Sequence, residues 1–456
     1  MGLFMIFRRK IYQRLLDWKN ETRGTKALLI EGARRIGKST IAEEFARNEY
    51  KSYILIDFNK AGDTVRNAFK NYIEDLDTFF MILSTEYNVK LYHRESLIIF
   101  DEVQKFPKAR EAVKYLVKDG RYDFLETGSL ISIKENVSEI TLPSEERRIK
   151  MYPMDFEEFG WAMGYSQLME YIKFCFKNKT PLDDDLHAKA MFLFRQYIIV
   201  GGMPKPMAVY LENDRDFEKA DKEKRDILAL YRNDIMKINT ADRSRILAIF
   251  DQIPAFLSKS ERRVTLSSVE KNATFPKYHD TFFWLADAMI VNECFNCSDP
   301  NVGLSLNEDR SFVKCYMCDT GLLVSASFNE NEISDGELYR ELLHGKLSIN
   351  EGMFYENAIA QMLVAAGHKL YFYTHYNVEK HRNDIEIDFL LSNNSKLKYK
   401  IYPIEVKSSS RYSLSSLEKF DNRFRERIGG NYIIHPKNLK SDAGALYIPA
   451  YMTFCM

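Results

Sequence analysis

The chain has 456 residues, of which 45% are hydrophobic, and its 65 Lys and Arg residues balance 65 Asp and Glu residues. A chain of this length is expected to form about two to four domains, and its apolar content allows large cores. The zero net formal charge excludes a global field that favours nucleic acid, so any such binding must depend on local basic patches.

Signals for membrane insertion or secretion are not expected in this sequence. No apolar run reaches the roughly 18 residues that a membrane span needs. The apolar segment Gly2–Phe7 is too short for a signal-peptide core and precedes the basic residues instead of following them. We therefore expect a cytoplasmic protein that binds no membrane and whose six cysteines are reduced.

The first predicted elements surround a glycine-rich loop. A short amphipathic helix over Arg8–Lys19 precedes an apolar strand that begins at Leu28. Residues 32–39 then read G-A-R-R-I-G-K-S, and the residues after them continue at helical spacing. The order of strand, G-x-x-x-x-G-K-S loop and helix is that of a phosphate-binding loop.

This loop is the predicted nucleotide site. Gly32 and Gly37 allow a tight turn whose backbone N–H groups point inward at the phosphates. Lys38 places a cation on the β- and γ-phosphates, and the Ser39 hydroxyl binds Mg²⁺. We predict ATP and Mg²⁺ as ligands, with the nucleotide held by Gly32, Ala33, Arg34, Arg35, Ile36, Gly37, Lys38, Ser39 and Thr40.

Two acidic residues follow a later apolar run. A buried strand is predicted at Tyr53–Phe58, a helix at 66–87, and a second buried strand at Leu97–Phe100 that leads into Asp101 and Glu102. A continuous apolar run suits a central parallel strand, and ligands collect at the carboxyl ends of such strands. Asp101 is therefore predicted to hold Mg²⁺ through water, and Glu102 to orient or deprotonate the attacking water.

Hydroxyl and guanidinium groups follow further along the same region. The predicted strand Tyr122–Ser129 ends in Thr127 and Ser129, which either report on the γ-phosphate or are ordinary turn residues. Arg147 and Arg148 precede another predicted strand. They either neutralise charge that develops during hydrolysis, within the chain or across to a neighbour, or form a plain surface pair. Thr127 and Arg148 are retained as catalytic candidates.

Together these motifs resemble a family of prokaryotic AAA-type P-loop ATPases. The resemblance rests on G-A-R-R-I-G-K-S, on F-D-E-V-Q-K-F-P at 100–107, on T-G-S at 127–129 and on Y-P-M-D-F-E-E-F at 152–159. Members of this family carry a conserved C-terminal region of undefined function. The family usually has Gly-Arg before its Tyr-Pro segment, whereas this chain has Arg147-Arg148, so it departs from the pattern at the candidate arginine.

The middle of the chain is predicted to be mainly helical. Helical patterns over Tyr165–Phe194 are broken at Ile199–Pro206 by two glycines and two prolines. This segment resembles the Gly-Gly-Met-Pro sequence that opens the C-terminal region of the same family. A charged helix is predicted to follow at Lys219–Lys237.

Residues 244–324 suggest a winged helix. Helices are predicted at Ile246–Leu257, Leu266–Val269 and Pro276–Met289, followed by a strand-like candidate wing at Ile290–Leu323. The third helix of such a module is the usual reader of a DNA groove, and winged helices also serve as protein-docking modules. That helix carries Lys277, Tyr278 and His279 near its start, and Lys259, Arg262 and Arg263 lie upstream, which is a modest basic content for a DNA-binding module.

Four cysteines have the spacing of a zinc ribbon. Cys294 and Cys297 form one C-x-x-C pair, and Cys315 and Cys318 form another. The second pair lies in a predicted strand, where residues i and i+3 point to opposite faces, and neither pair has a following glycine. The similar family keeps Lys, Tyr, Asp and Gly-Leu in this segment, not the cysteines. We predict reduced core thiols and well under one zinc ion per chain, with structural zinc as the alternative.

The C-terminal stretch has acids in a different arrangement. Glu356 lies in a predicted helix over Glu351–Ala366, and Asp388 lies in a predicted strand over Glu386–Leu391. Glu405 and Lys407 are two apart on the next strand, so both project from one face.

The order Glu…Asp…Glu-x-Lys resembles the core of restriction-endonuclease-like nucleases. That resemblance implies Mg²⁺ bound by Asp388 and Glu405, with Glu356 from the helix as a supporting third metal ligand and Lys407 assisting the attacking water or the charged phosphate. The carboxylates are expected to share one concave site. Because sites decay while folds persist, both an active nuclease and an inactive fold stay open.

The predicted fold is α/β, with a parallel P-loop NTPase sheet, a helical and winged-helix-like region and a restriction-endonuclease-like domain. The predicted domains are 1–165, 166–330 and 331–456. The predicted function is an ATP-binding, Mg²⁺-dependent ATPase coupled to a DNA-binding, nuclease-like module. The alternative is a regulatory or protein-docking ATPase whose nuclease-like fold is inactive. The expected partners are ATP and DNA, or a protein partner or further copies of the chain.

Overall fold

The computed structural model describes residues 5–128, 144–238, 242–259, 261–264, 275–328, 336–344, 351–379, 381–393, 400–409, 411–442 and 444–456. The chain forms two compact units, Met1–Tyr152 with Asp287–Met289, and Pro153–Ala286 with Ile290–Met456. Within the described part of the chain, no helix has both the length and the apolar character needed to cross a membrane. The predictions for Ser129 and for a helix at Leu266–Val269 fall outside the described residues.

The first unit contains a five-stranded sheet, whose strands are β1 (Ala27–Glu31), β2 (Ser52–Asp57), β3 (Ser96–Asp101), β4 (Asp123–Gly128) and β5 (Glu146–Lys150). Every pairing in this sheet is parallel, and the order of the strands is β2-β3-β4-β1-β5. The central strands β3, β4 and β1 are buried along their whole length, which explains the apolar runs of β1 and β3. This architecture agrees with the predicted P-loop NTPase sheet.

Among the described residues, five α-helices accompany this sheet, namely α1 (Ile11–Thr22), α2 (Lys38–Glu49), α3 (Asp63–Asn71), α4 (Leu76–Tyr87) and α5 (Pro107–Asp119). The single helix predicted over 66–87 is wrong, because α3 and α4 are separate. Asp75 caps α4 by accepting the backbone N–H of Thr78 at 3.2 Å. An Asp at the N-cap satisfies a helix-end donor and so begins a new helix there.

The second unit begins with helices. Those that follow Pro153 are α6 (Phe156–Ala162), α7 (Ser166–Asn178), α8 (Asp184–Val200), α9 (Pro204–Glu212), α10 (Phe217–Met236), α11 (Arg243–Ser258), α12 (Phe275–Asp287), α13 (Thr320–Ser327), α14 (Gly336–Leu343), α15 (Glu351–Ala365) and α16 (Ser415–Phe424).

The described residues after Asp287 also include the strands β6 (Val291–Cys297), β7 (Glu308–Met317), β8 (Leu370–Asn377), β9 (Arg382–Ile387), β10 (Phe389–Asn393), β11 (Lys400–Val406), β12 (Asn431–His435), β13 (Lys440–Asp442) and β14 (Ala445–Pro449). These strands form two mixed sheets, in the orders β7-β6-β8-β9 and β10-β11-β12-β14-β13.

The strands β6 and β7, predicted as a wing, form an antiparallel pair. However, β6 also pairs in parallel with β8, so one sheet contains strands from both sides of the predicted boundary at 330. The predicted strand at 386–391 is also divided, because β9 ends at Ile387 and β10 begins at Phe389. The winged-helix and endonuclease-like assignments, and the division into three domains, stay predictions.

The Gly201-Gly202 pair is explained by close packing in the second unit. Gly201 has φ +81°, and a Cβ atom on Gly202 would overlap the carbonyl of Met154. The N–H of Gly202 donates to the fully buried carboxylate of Asp319 at 2.5 Å. Glycine is therefore needed here for backbone conformation and close approach, and the motif has a structural role.

Candidate functional site

The phosphate-binding loop connects β1 to α2 in the first unit. Gly37 has φ +92° at the start of α2, and Arg35 also has a positive φ of 68°. A Cβ atom on Gly32 would lie 2.6 Å from the carbonyl oxygen of Met151. The loop therefore needs glycine at both ends, once for close approach and once for a left-handed backbone.

Lys38 is buried inside this loop. Its Nζ donates to the carbonyl oxygens of Gly32 and Ala33, each at 2.8 Å. Burial lowers the pKa of Lys38 to about 8, and the nearby carboxylates of Glu102 and Asp101 oppose that shift. The ammonium is thus held at the loop by main-chain acceptors, which phosphate oxygens can replace.

Three polar side chains from separate elements meet beside the loop. The Ser39 hydroxyl donates to Asp101 Oδ1 at 2.6 Å, and the Thr127 hydroxyl donates to the same oxygen. They meet because β3 lies beside β4 and β4 beside β1, so the carboxyl ends of these strands share one edge of the sheet. A carboxylate and a hydroxyl are oxygen ligands of the kind that Mg²⁺ prefers, so these residues fit the predicted ion.

Glu102 follows Asp101 directly and has φ +54°. Its backbone N–H donates to Thr127 Oγ1 at 3.3 Å, and its carboxylate accepts the amide N–H of Gln104 at 2.5 Å. Glu102 is therefore held beside the Ser39–Asp101–Thr127 cluster through both its main chain and its side chain.

The two candidate arginines form ion pairs within the first unit. Arg148 Nε lies 2.6 Å from Glu146, and its Nη1 lies 3.7 Å from Glu31, the residue before the loop. Arg147 pairs with Glu21 at 2.7 Å. Arg148 thus lies on the edge strand β5 beside an acid that adjoins the loop, and its role in hydrolysis stays a prediction.

The C-terminal candidates lie around the junction of β9, β10 and β11. Asp388 accepts the backbone N–H of Val406 at 2.8 Å, and Lys407 donates to the carboxylate of Glu405. Burial, followed by repulsion from Asp388, raises the pKa of Glu405 to about 7. The structure therefore places Asp388, Glu405 and Lys407 in one neighbourhood.

Glu356 reaches the same neighbourhood through a buried lysine. Lys314 Nζ lies 3.4 Å from Glu356, 3.3 Å from Glu386 and 3.9 Å from Asp388. Glu356 also accepts the hydroxyl of Tyr316 and pairs with Arg262.

The ion pairs of Lys314, Arg262 and Lys407 test whether Glu356, Asp388 and Glu405 fit the predicted Mg²⁺. Within the described ranges, no group of three or more His, Cys, Asp or Glu side chains is arranged to hold a metal ion. All three predicted ligands already have a cationic partner. Glu356 pairs with Arg262, Asp388 lies near Lys314 of β7, and Glu405 pairs with Lys407. Each predicted ligand thus has a positive side chain beside it that competes with a metal ion for its carboxylate, so the arrangement as it stands does not fit the predicted ion.

The four paired cysteines are all buried. Cys294 lies opposite Lys314 and Cys315 opposite Glu293 in the antiparallel pair β6–β7, which places these two thiols on opposite faces of the sheet. Burial raises the pKa of all four thiols, to about 11 for Cys297, whereas zinc binds thiolates. Reduced core thiols stay our prediction.

Residues 24–160 match the model of a family described as an AAA domain. Two domains of unknown function match further along, DUF8612 at 191–332 and DUF4143 at 351–451. No match was found among curated proteins. The AAA domain, with its phosphate-binding loop, supports an ATP-binding ATPase.

Solved structures with similarity to the chain include the Walker-type ATPase PABY2304 of Pyrococcus abyssi, at 16% identity over 70% of this chain and 96% of that chain, with a TM-score of 0.40. Cdc6p of Pyrobaculum aerophilum has 11% identity over 76% of this chain and 97% of that chain, with a TM-score of 0.29.

Several residues that hold the AAA domain together could not be found from the sequence. The guanidinium of Arg9 is buried and donates to the carbonyls of Ile36, in the phosphate-binding loop, at 3.0 Å and of Tyr152 at 2.6 Å. The only sequence signal was a basic Arg8-Arg9 pair before α1, a pattern typical of exposed residues.

A buried ionic cluster was missed in the same way. Arg110 of α5 lies 2.8 Å from Glu146 and 3.8 Å from Glu126, with all three side chains almost fully buried. Burial and the charge of Glu146 hold the pKa of Glu126 well above its usual range. No local pattern indicates such a cluster, because its members lie on three elements that meet only in the folded domain.

Proposed function

We propose that the AAA domain hydrolyses ATP with Mg²⁺ at the phosphate-binding loop. The observation that carries this proposal is that the hydroxyls of Ser39 and Thr127 both donate to one oxygen atom of Asp101. These residues come from the start of α2 and from the ends of β3 and β4, which is where a nucleotide on the loop places its terminal phosphates.

Each residue has a role that follows from its chemistry. The loop N–H groups of Gly32–Thr40 bind phosphate oxygens, and Lys38 exchanges its carbonyl acceptors for the β- and γ-phosphates. Ser39 and Asp101 would hold Mg²⁺, which when bound neutralises charge on the phosphates. Glu102 would accept a proton from the attacking water or orient it, and Thr127 would contact the γ-phosphate.

The test is ATP turnover by the purified chain with Mg²⁺. Lys38→Ala removes the phosphate cation and should weaken nucleotide binding or abolish turnover. Glu102→Gln should bind ATP but lose hydrolysis, because an amide cannot accept the proton of water. Lys108→Ala, an exposed lysine of α5, is the control for a lost surface charge. Wild-type turnover in both site variants would contradict the assignment.

A second candidate function concerns the part of the chain after Pro153. We infer that it acts as a regulatory or protein-docking module and not as a nuclease. The internal ion pairs of Lys314 and Arg262 with the candidate carboxylates favour this alternative. Two of the six basic and aromatic residues named for the predicted winged helix are not free to contact DNA, since Tyr278 is buried and Arg263 pairs with Glu261.

Incubation with supercoiled and linear DNA in Mg²⁺ or Mn²⁺ tests this inference. We expect no cleavage, and we expect weak DNA binding that is lost as salt rises, because the chain has no net charge to attract phosphate. Metal-dependent cleavage that Asp388→Ala abolishes, with ATP turnover retained, would support the nuclease function instead.

A further inference from the structure

The turn after β3 is firmly anchored. It is a single turn of 3-10 helix over Val103–Lys105, in which Val103 and Gln104 are buried. The N–H of Lys105 donates to the carbonyl of Glu102 at 2.9 Å, and the N–H of Phe106 donates to that of Val103 at 3.1 Å. Pro107 then begins α5. The side chain at 104 therefore starts from a fixed backbone.

Gln104 uses this position to contact the candidate general base. Its amide Nε2 donates to Glu102 Oε2, and a hydrogen bond to a charged acceptor is stronger than one between two neutral groups. The main chain of Glu102 is fixed as well, at φ +54° with its N–H on Thr127. A positive φ in a residue other than glycine persists only where its surroundings hold it.

We propose that Gln104 is a positioning residue for ATP hydrolysis, whose amide holds the Glu102 carboxylate in the orientation that activates water. This inference rests on the proposed ATPase function. A glutamate side chain has three rotatable bonds, and its carboxylate must lie within hydrogen-bond reach of the water. A carboxylate held through one oxygen keeps lone pairs on the other for that water.

The expected cost of losing this contact follows from its geometry. Without the amide, the Glu102 carboxylate can rotate about its side-chain bonds, and a misplacement of about 1 Å at a reacting group costs on the order of 100-fold in rate. Nucleotide binding should change little, because the residues that hold the phosphates are Lys38 and the loop N–H groups. Loss of rate without loss of affinity is the mark of a group that acts only in the transition state.

The test is Gln104→Met, which keeps the length of the side chain and removes the amide. We expect kcat for ATP to fall by about 10- to 100-fold, with an unchanged equilibrium Kd for ATP measured separately. Lys105→Ala, an exposed neighbour in the same turn, should match wild type in both quantities. A purely structural role for Gln104 would instead lower the thermal midpoint and weaken ATP binding, leaving kcat at saturating ATP close to wild type.

A double-mutant cycle separates action through Glu102 from any other effect. Glu102→Asp shortens the acid by one methylene, which withdraws its carboxylate from Gln104. On that background Gln104→Met should cost nothing further in kcat, because the contact is already lost. Equal losses on the two backgrounds, or wild-type kcat in Gln104→Met, would overturn the inference while leaving the ATPase function intact. Absence of turnover in the wild-type chain would overturn both.

Discussion

Arg9 is predicted to be essential for the shape of the phosphate-binding loop, although it lies outside the motif. Its guanidinium donates to Ile36 within the loop and to Tyr152, which follows β5. Arg9→Met removes both donors and leaves two carbonyl groups to find other partners. Since a hydrogen bond to a charged group contributes about 1.5–3 kcal/mol, the loss of two should lower the free energy of unfolding of the AAA domain by about 3 kcal/mol or more.

The same change should weaken ATP binding, because the carbonyl of Ile36 belongs to the loop that surrounds the phosphates. We expect a Kd at least about tenfold higher, equivalent to about 1.4 kcal/mol. Urea unfolding and equilibrium binding of ATP measure the two effects, with the exposed neighbour variant Arg8→Met as the control. If Arg9→Met has the unfolding midpoint and the ATP affinity of Arg8→Met, the buried guanidinium does not hold the loop and the reasoning fails.

Two further predictions concern charge. Burial lowers the pKa of Lys38 to about 8, so the ammonium is lost as pH rises through that value. The Kd for ATP should therefore increase about tenfold between pH 7 and pH 9. The Kd of Lys38→Arg, whose side chain stays charged, should show no such increase. Lys314→Met removes the buried ammonium from the carboxylates around it and should lower the free energy of unfolding by about 3–5 kcal/mol. Added Mg²⁺ should raise the thermal midpoint of this variant but not that of wild type, and an equal response in both would contradict the conclusion that Lys314 competes with a metal ion for these carboxylates.

The phosphate-binding loop shows how far local sequence can carry a prediction. The loop has two glycines, a lysine and a serine at fixed spacing, and it lies between an apolar run and a helical pattern. This pattern predicts both the backbone conformation and the chemistry of the loop. The position of Asp101 was equally predictable, because an apolar run marks a central parallel strand and the ends of such strands meet at one edge. Neither argument needs a contact between distant side chains.

Two predicted elements are wrong because an aspartate interrupts each of them. The pattern over 66–87 was continuous enough to suggest one helix, yet Asp75 ends that continuity by capping α4. The single strand predicted at 386–391 is also interrupted, because Asp388 lies between β9 and β10. The Asp388 side chain accepts a hydrogen bond from the backbone of the neighbouring strand β11. In both cases an aspartate competes with regular structure through its own hydrogen bonds.

The sequence by itself determined that this chain has a nucleotide loop, a parallel sheet to support it, and acids at the ends of particular strands. Only the tertiary structure decided which charges those acids meet. Asp101 meets hydroxyl groups and remains suited to Mg²⁺, whereas Glu356 and Asp388 meet the buried ammonium of Lys314. The reason is physical: a buried carboxylate must be balanced by whatever lies beside it. Its neighbours come from strands far apart in the chain, whose register no local periodicity encodes.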